Sequence, residues 1–281
     1  MTDDLVSTEW LAGGLGAADL RILDATWCLP ADKRDPRAEY EAGHIPGAVF
    51  LDLDDASDPD SPFPHMLPSE ARLASRMQSL GIRDGARIIV YDNSPLHTSA
   101  RIWWMLRRFG AHYVAILDGG LAKWKAEGRP LERGKPAVRH GHFTPALDRR
   151  GVAAKSDMLA LIAASTHEIV DARSGPRFAG AEAEPRPGLA SGHIPGSKNL
   201  PQARLFNPDN SWKRGDDLRA AFKEAGIDLA KPMVTTCGSG VTAAVVLFGA
   251  HLLGKEDVAL YDGSWSEWGA DPTTPKATGP A

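Results

Sequence analysis

The sequence predicts an α/β protein made of two tandem domains, each with a mostly parallel sheet that is covered by helices on both faces. Short β-branched runs alternate with helical segments along the chain, which is typical of parallel sheets. The same order of motifs also occurs twice, at an interval of about 145 residues. A chain of 281 residues is long enough for two hydrophobic cores. We place the domains at residues 1–140 and 156–281, with a linker at 141–155.

Four pairs of motifs define the repeat. They are Ile22-Leu-Asp24 and Ile169-Val-Asp171, Gly43-His-Ile-Pro-Gly47 and Gly192-His-Ile-Pro-Gly196, Ile88-Ile-Val-Tyr-Asp92 and Met233-Val-Thr-Thr-Cys237, and Leu117-Asp-Gly-Gly120 and Tyr261-Asp-Gly-Ser264. Four matches in the same order indicate a duplicated domain rather than a solenoid. His44 and His193 are expected to be structural, because both copies keep a histidine before the rigid Ile-Pro-Gly turn.

Helical segments fill the intervals between the predicted strands. We expect helices at Glu70–Leu80, Ser99–Phe109, Asp157–Ala164 and Asp216–Ala225. Glycines follow two of these segments, at Gly110 and Gly226, where a helix commonly ends. The stretch from Arg129 to Arg150, rich in proline and arginine, reads as the connection between the domains. The tail from Asp271 to Ala281 is expected to be loose.

The stretch from Met233 to Phe248 carries the strongest functional signal. Four β-prone residues lead into Cys237, a glycine loop follows, and an apolar helix then runs to Leu253. The loop therefore joins the carboxyl end of a strand to a helix N-terminus, where backbone N–H groups and the helix dipole favour an anion. We expect Cys237 to be partly accessible there and to react as a thiolate.

Three interpretations of this loop compete. Cys237 could be a buried structural cysteine. Gly238-Ser-Gly240-Val-Thr-Ala243 also fits the dinucleotide-binding pattern G-x-G-x-x-A, with Asp262 after a later strand. The third interpretation, a catalytic nucleophile, is favoured by the repeat, because the equivalent loop after Asp92 has neither a thiol nor glycines. One copy is then expected to perform the chemistry, without a cofactor, while the other supports it.

Composition narrows the possible partners. The net charge of −4 gives no general attraction to nucleic acid or to anionic membranes. The longest apolar run, Ala243–Leu253, is too short to span a bilayer, and no secretory leader is evident. Cys28 and Cys237 do not form a disulfide framework, so we expect a reducing, cytoplasmic location and no role for Cys28. The nine histidines are scattered and no C-x-x-C pair occurs, so no metal site is expected.

The motifs resemble those of the tandem rhodanese-type sulfurtransferases, and within that family the 3-mercaptopyruvate-using members. The paired GHIPG segments mark the fold, and Cys237-Gly-Ser-Gly-Val-Thr242 and Asp262-Gly-Ser-Trp-Ser-Glu-Trp268 are the specific motifs. Thiosulfate-using relatives typically carry basic residues in this loop, whereas all loop residues after Cys237 are uncharged here. Cysteine phosphatases of related fold end a longer loop with arginine, and this chain has alanine there. Two rhodanese-like domains are therefore expected, the second of them catalytic.

The resemblance also implies an activity and a set of residues. Sulfur would pass from 3-mercaptopyruvate, or from thiosulfate, through a persulfide on the cysteine to cyanide, a small thiol or a thioredoxin-like protein, with pyruvate released from the first donor. A sulfur-relay module loaded by a partner protein is the alternative of a different class. The implied catalytic residues are Cys237, Ser239, His65 and Asp54, and the implied substrate-binding residues are Arg177, Arg186, Gly238, Gly240, Val241 and Thr242.

Simpler roles remain open for several of these residues on sequence alone. Arg177 and Arg186 could be solvated loop charges near two glutamates. His65 could be a loop residue packed between prolines, and Asp54 could cap a turn.

Overall fold

The two halves of the chain contain equivalent sets of strands and helices. The computed structural model describes residues 4–280. The strands are β1 (Leu5–Val6), β2 (Leu20–Asp24), β3 (Ala48–Phe50), β4 (Arg87–Tyr91) and β5 (Val114–Leu117), followed by β6 (Val152–Ala153), β7 (Glu168–Asp171), β8 (Lys198–Asn199), β9 (Met233–Thr236) and β10 (Val258–Tyr261). The helices are α1 (Thr8–Gly14), α2 (Pro36–Ala42), α3 (Glu70–Ser79), α4 (Ser99–Arg108) and α5 (Gly120–Ala126), followed by α6 (Lys155–Ala164), α7 (Gly175–Ala179), α8 (Gly215–Glu224), α9 (Val241–Leu252) and α10 (Ser264–Trp268). Short 3-10 helices lie at Pro30–Asp32 and Gln202–Leu205.

Each half forms a five-stranded sheet with the same topology. The strand order is β1-β5-β4-β2-β3 in the first sheet and β6-β10-β9-β7-β8 in the second. Every neighbouring pair of strands is parallel. The predicted α/β class and the duplication are therefore confirmed. The four predicted helices correspond to α3, α4, α6 and α8, with small differences at their ends.

Packing divides the chain into two units, and neither unit is continuous in sequence. The first unit contains the described chain up to Pro59, Leu67–Asp148 and Asn207–Trp212. The second contains Asp60–Met66, Arg149–Phe206 and the described chain from Lys213 onward. The segment Asp60–Met66 carries His65, which therefore belongs to the second unit although it comes from the first half of the sequence.

The helix after the cysteine loop, α9, has a fully buried central segment. Every residue from Ala243 to Ala250 is buried, which explains the continuous apolar run in the sequence. It packs against β9 and β10 as the crossover between two adjacent parallel strands. In the part of the chain that the structure covers, no helix is long and apolar enough to cross a membrane.

The GHIPG histidines have equivalent structural roles in the two units. His44 Nδ1 lies 2.8 Å from the Tyr40 carbonyl oxygen, and the two rings stack at 4.0 Å. His193 Nδ1 lies 2.8 Å from the Phe178 carbonyl oxygen, and those rings stack at 3.7 Å. The structural role expected for both histidines is confirmed.

The C-terminal tail is ordered as far as the structure describes it, so the expectation of a loose tail is wrong. The backbone of Ala277 pairs with that of His193 in both directions, at 2.8 and 2.9 Å. Trp268 Nε1 donates to the Pro275 carbonyl oxygen at 2.8 Å, and the Gly279 N–H donates to Ala179 at 2.9 Å. The composition of the tail gave no signal of these bonds, because they are made by its backbone. Ala281 lies outside the described residues.

A buried carboxylate at the end of β2 predicts a pH dependence of stability. Asp24 is 1% exposed, and its Oδ1 accepts hydrogen bonds from the Thr26 backbone N–H and hydroxyl. Burial raises the pKa of Asp24 from 3.8 to about 6, and the nearby charge of Asp92 adds to the shift. The folded state therefore holds this proton more tightly than the unfolded state does. The contribution of Asp24 to stability falls as the pH rises from about 4 to about 6.

Asp24→Asn should remove this dependence, because an amide can accept the same bonds without carrying a charge. We expect the unfolding free energy of the variant, relative to wild type, to rise by about 2 kcal/mol between pH 4 and pH 7. Denaturant unfolding at both pH values measures the difference, and a difference that does not change with pH would contradict the assignment. Asp171→Asn is the matched control: Asp171 is the equivalent residue of β7 but pairs with Arg173 at 2.6 Å, so its loss should destabilise the protein at neutral pH.

Candidate active site

The cysteine loop lies between the central strand of the second sheet and the N-terminus of a long helix. β9 ends at Thr236, and α9 begins at Val241 after Gly240, whose φ of 77° is in the left-handed region. Val241 and Thr242 form the first turn of this helix, whose backbone N–H groups and dipole favour an anion. The predicted strand–loop–helix arrangement around Cys237 is confirmed.

Cys237 is more buried than its sequence indicated. Its exposed fraction is 2%, whereas we expected partial accessibility. The cause is α10, which lies against the loop and hydrogen-bonds its backbone. The Cys237 N–H donates to Ser264 Oγ at 3.3 Å, and the Cys237 carbonyl oxygen accepts from the Trp265 N–H at 2.9 Å. The motif that follows Asp262 is therefore the support of the loop.

The same helix also fixes the direction of the loop amides. The Gly238 carbonyl oxygen accepts from the backbone N–H of Ser266 at 2.8 Å and from its hydroxyl at 2.7 Å. In a trans peptide the carbonyl and the following N–H point in opposite directions. Because the carbonyls of Cys237 and Gly238 face α10, the N–H groups of Gly238 and Ser239 face away from it. Backbone N–H groups are donors of the type that stabilises a negatively charged atom.

The equivalent loop of the first unit contains its own anion. Asp92 follows β4 as Cys237 follows β9, and its carbonyl oxygen accepts from the Leu121 N–H at 3.0 Å, as Cys237 does from Trp265. Its carboxylate accepts from the N–H of Ser94 at 2.9 Å and from that of Ser99, the first residue of α4, at 2.8 Å. The amides that would bind an external anion are thus already used by an aspartate.

His65 and Ser239 are in hydrogen-bond contact within the second unit. The distance between His65 Nδ1 and Ser239 Oγ is 2.8 Å, and both residues are buried. His65 has a φ of 63°, which is uncommon for a residue other than glycine and is often found at functional sites. The structure therefore brings two of the predicted catalytic residues together across 174 positions of sequence.

Asp54 lies in the first unit, where its carboxylate is held by a tryptophan. Its Oδ2 accepts from Trp27 Nε1 at 3.0 Å, and its backbone N–H donates to Asp52 Oδ1 at 3.0 Å. The turn role that the sequence left open is consistent with the second of these bonds.

Arg177 lies directly beside the cysteine loop. A Cβ atom built on Gly238 would be 3.1 Å from Arg177 Nη2. The guanidinium can therefore pack closely against Gly238 because glycine has no side chain. The side chain of Arg177 is 19% exposed, and its partner Glu184 is 2% exposed. The interpretation of Arg177 as a solvated charge is therefore wrong. Arg186 is partly buried two residues beyond Glu184.

Sequence reasoning did not identify the charges that support Arg177. Arg173 donates to Glu184 Oε1 at 2.7 Å and to Asp171 Oδ2 at 2.6 Å, and its side chain is 0% exposed. Its guanidinium carbon lies 4.4 Å from the ring centroid of Trp265, within cation–π range. The available signal was Asp171-Ala-Arg173, because the equivalent position in the first copy is Thr26, which cannot form an ion pair.

Comparison with known proteins identifies the class. A family model described as "Rhodanese-like domain" matches residues 7–127 and 154–271. The 3-mercaptopyruvate sulfurtransferase of Mus musculus is 43% identical over 94% of this chain and 91% of its own length. The thiosulfate sulfurtransferase of Cricetulus griseus is 42% identical, with the same shares covered. The crystal structure of SseA from Escherichia coli, described as a 3-mercaptopyruvate sulfotransferase, superposes with a TM-score of 0.86 at 41% identity, covering 95% of this chain and 100% of SseA.

The fold and these matches define a protein with two rhodanese-like domains. The chain belongs to the rhodanese family of tandem-domain sulfurtransferases, and the resemblance inferred from its motifs is confirmed. It is accordingly an enzyme of the transferase class. Overall identity does not separate the two donor specificities, because relatives named for 3-mercaptopyruvate and for thiosulfate match almost equally well.

Proposed function

We propose that this enzyme transfers sulfur from 3-mercaptopyruvate to a thiol or cyanide acceptor through a persulfide on Cys237, releasing pyruvate. The observation that carries the proposal is the position of the Arg177 guanidinium against Gly238, next to the cysteine. In a donor that has a carboxylate near its reacting sulfur, the sulfur can then lie at Cys237 while the carboxylate binds Arg177. The uncharged loop from Gly238 to Thr242 supports this donor over thiosulfate, since it offers no basic side chain for an inorganic dianion.

The first half-reaction forms an S–S bond and breaks a C–S bond. The Cys237 thiolate attacks the sulfur of 3-mercaptopyruvate, and the electron pair of the C–S bond leaves with carbon as the enolate of pyruvate. The proton of the substrate thiol is transferred to that carbon, which gives pyruvate and leaves a persulfide anion on Cys237. The terminal sulfur of the persulfide is stabilised by the N–H groups of Gly238 and Ser239 and by the N-terminus of α9.

The second half-reaction regenerates the cysteine. A thiolate or cyanide attacks the terminal sulfur, takes it up as a new persulfide or thiocyanate, and releases the Cys237 thiolate. The covalent intermediate separates the two steps, so ping-pong kinetics are expected. Suitable acceptors are a small thiol or a thioredoxin-like protein. Both cysteines are free, and a reducing, cytoplasmic location would keep the nucleophile in this state.

Ser239 and His65 are proposed to move the proton. Their contact at 2.8 Å provides a path from the substrate thiol through the Ser239 hydroxyl to the imidazole, which can return the proton to the enolate carbon. Asp54 is assigned as the carboxylate that orients His65, and this assignment rests on the family resemblance alone.

Arg177→Ala and Arg186→Ala should each weaken binding of the donor carboxylate. We expect the KM for 3-mercaptopyruvate to rise about tenfold to a hundredfold, because charge-assisted hydrogen bonds to carboxylate contribute about 1.5–3 kcal/mol. The KM for thiosulfate should rise far less. Steady-state kinetics with both donors provide the measurement, and equal increases for the two donors would remove the carboxylate role.

Thiosulfate is the second candidate donor, favoured by the nearly equal identity to a thiosulfate sulfurtransferase. The ratio of kcat/KM for the two donors decides between them. A value for thiosulfate well above that for 3-mercaptopyruvate would reassign the enzyme. Turnover with neither donor, together with persulfide capture from a partner protein, would instead support the relay function.

A further inference from the structure

Glu184 holds the Arg177 guanidinium through two hydrogen bonds. Its Oε2 accepts from Nη2 at 2.5 Å, and its Oε1 accepts from Nε at 3.3 Å. Both bonds use the same edge of the planar guanidinium. Within residues 4–280, Glu184 is the acceptor of every hydrogen bond from this group. The edge formed by Nη1 and Nη2 is consequently left for a ligand.

Glu184 is itself held on its other side by a buried cation. Arg173 Nη1 donates to Glu184 Oε1 at 2.7 Å. Arg173 cannot turn away, because Asp171 accepts from both its Nε and its Nη2, and Nη2 also donates to the Gly192 carbonyl oxygen at 2.8 Å. A buried carboxylate between two guanidiniums is strongly constrained in position, since any displacement leaves a charge unpaired. Arg173 therefore fixes the position of Glu184, and Glu184 in turn fixes the guanidinium of Arg177.

We propose that Glu184 is a positioning residue for donor selection: it holds the Nε–Nη2 edge of Arg177 so that the Nη1–Nη2 edge faces the carboxylate of a 2-oxo acid donor. This inference rests on the proposed function, because it assigns Arg177 to that carboxylate. Two parallel N–H donors match the two oxygens of a carboxylate. The orientation of the Arg177 guanidinium therefore decides whether it binds the donor carboxylate through two hydrogen bonds or through one.

A purely electrostatic role of Glu184 and a positioning role predict opposite effects of its substitution on the KM for an anionic donor. Asp171, Arg173, Glu184 and Arg177 together carry no net charge. Removing the charge of Glu184 leaves the cluster positive, so electrostatic attraction alone would lower the KM for an anionic donor. Loss of orientation would raise it. The sign of the change therefore separates a positioning role from a purely electrostatic one.

The experiment compares Glu184→Gln and Glu184→Asp with Glu182→Gln in steady-state assays of the full-length enzyme. Glu182 is an exposed neighbour, so its substitution removes the same charge without touching Arg177. We expect the KM for 3-mercaptopyruvate to rise about tenfold in both Glu184 variants while kcat stays within about threefold, since the lost interaction is equally strong in the ground and transition states. The control should stay within about twofold of wild type.

Glu184→Asp keeps the charge that compensates Arg173, so it tests position even if Glu184→Gln folds poorly. An unchanged or lowered KM in this variant would overturn the proposal, as would a tenfold loss of kcat at constant KM. Arg177→Ala distinguishes this failure from failure of the proposed function. If Arg177→Ala raises the KM but the Glu184 variants do not, the positioning role alone is wrong; if Arg177→Ala has no effect, the carboxylate site itself is wrong.

Discussion

Cys237→Ser is expected to abolish release of pyruvate from 3-mercaptopyruvate, with turnover reduced by about 10⁴-fold or more. A serine hydroxyl is not ionised at neutral pH and is a far weaker nucleophile toward sulfur than a thiolate. The two side chains are similar in size, so the variant should keep its fold. The pyruvate produced per enzyme is the measurement.

Cys28→Ala is the matched control for this substitution. Cys28 is the other cysteine of the chain, it is 8% exposed, and burial raises the pKa of its thiol, which disfavours the reactive thiolate. We expect this variant to retain pyruvate release. Turnover close to wild type in Cys237→Ser would overturn the assignment of the nucleophile.

His65→Asn is expected to reduce kcat about a hundredfold with little change in KM, because the amide cannot carry a proton. Asparagine tolerates the left-handed backbone found at His65, and it can still hydrogen-bond Ser239 Oγ. The substitution therefore removes proton transfer while retaining the local geometry. Rates at saturating 3-mercaptopyruvate measure the effect.

Ser239→Ala tests whether the two residues act together. If they form one relay, the double variant should be about as slow as the slower single variant, because both substitutions break the same path. Effects on kcat that multiply would show that His65 and Ser239 act independently and would contradict the relay.

The fold was predictable because the duplicated motifs report local structure. Asp24 and Asp171 follow short apolar strands, and the glycines after Cys237 mark a strand–loop–helix junction. These patterns depend on neighbours in sequence, which is why the sheet class and the main helices could be inferred. The strand–loop–helix position of Cys237, the proposed nucleophile, was predictable for the same reason, since its loop is a continuous segment.

The remaining features depend on contacts between distant segments, which leave no local pattern. His65 reaches Ser239 across 174 positions, and only the family resemblance connected them. Glu184 is buried beside Arg173, which Asp171 pairs with in turn, and neither contact leaves a pattern in the residues around Glu184. The burial of Cys237 likewise depends on α10, which follows the loop by a full helix and strand.

The loop at Asp92 gives a physical reason to expect that the two copies of the domain differ in function. Its carboxylate accepts the two N–H groups that an anion would use, and it carries no nucleophile. We therefore propose that duplication of the sheet did not duplicate the chemistry. The second copy has the thiol of Cys237 in a loop whose backbone path depends on Gly238 and Gly240. The guanidinium of Arg177 lies beside that loop.

The most direct measurement is the intact mass of the enzyme after treatment with 3-mercaptopyruvate, with pyruvate assayed in the same sample. We expect one added sulfur atom per chain, located on Cys237 by peptide mapping, and one equivalent of pyruvate. The added sulfur should disappear when cyanide or a thiol is supplied. Pyruvate release without added sulfur, or a sulfur on Cys28, would contradict transfer through a Cys237 persulfide.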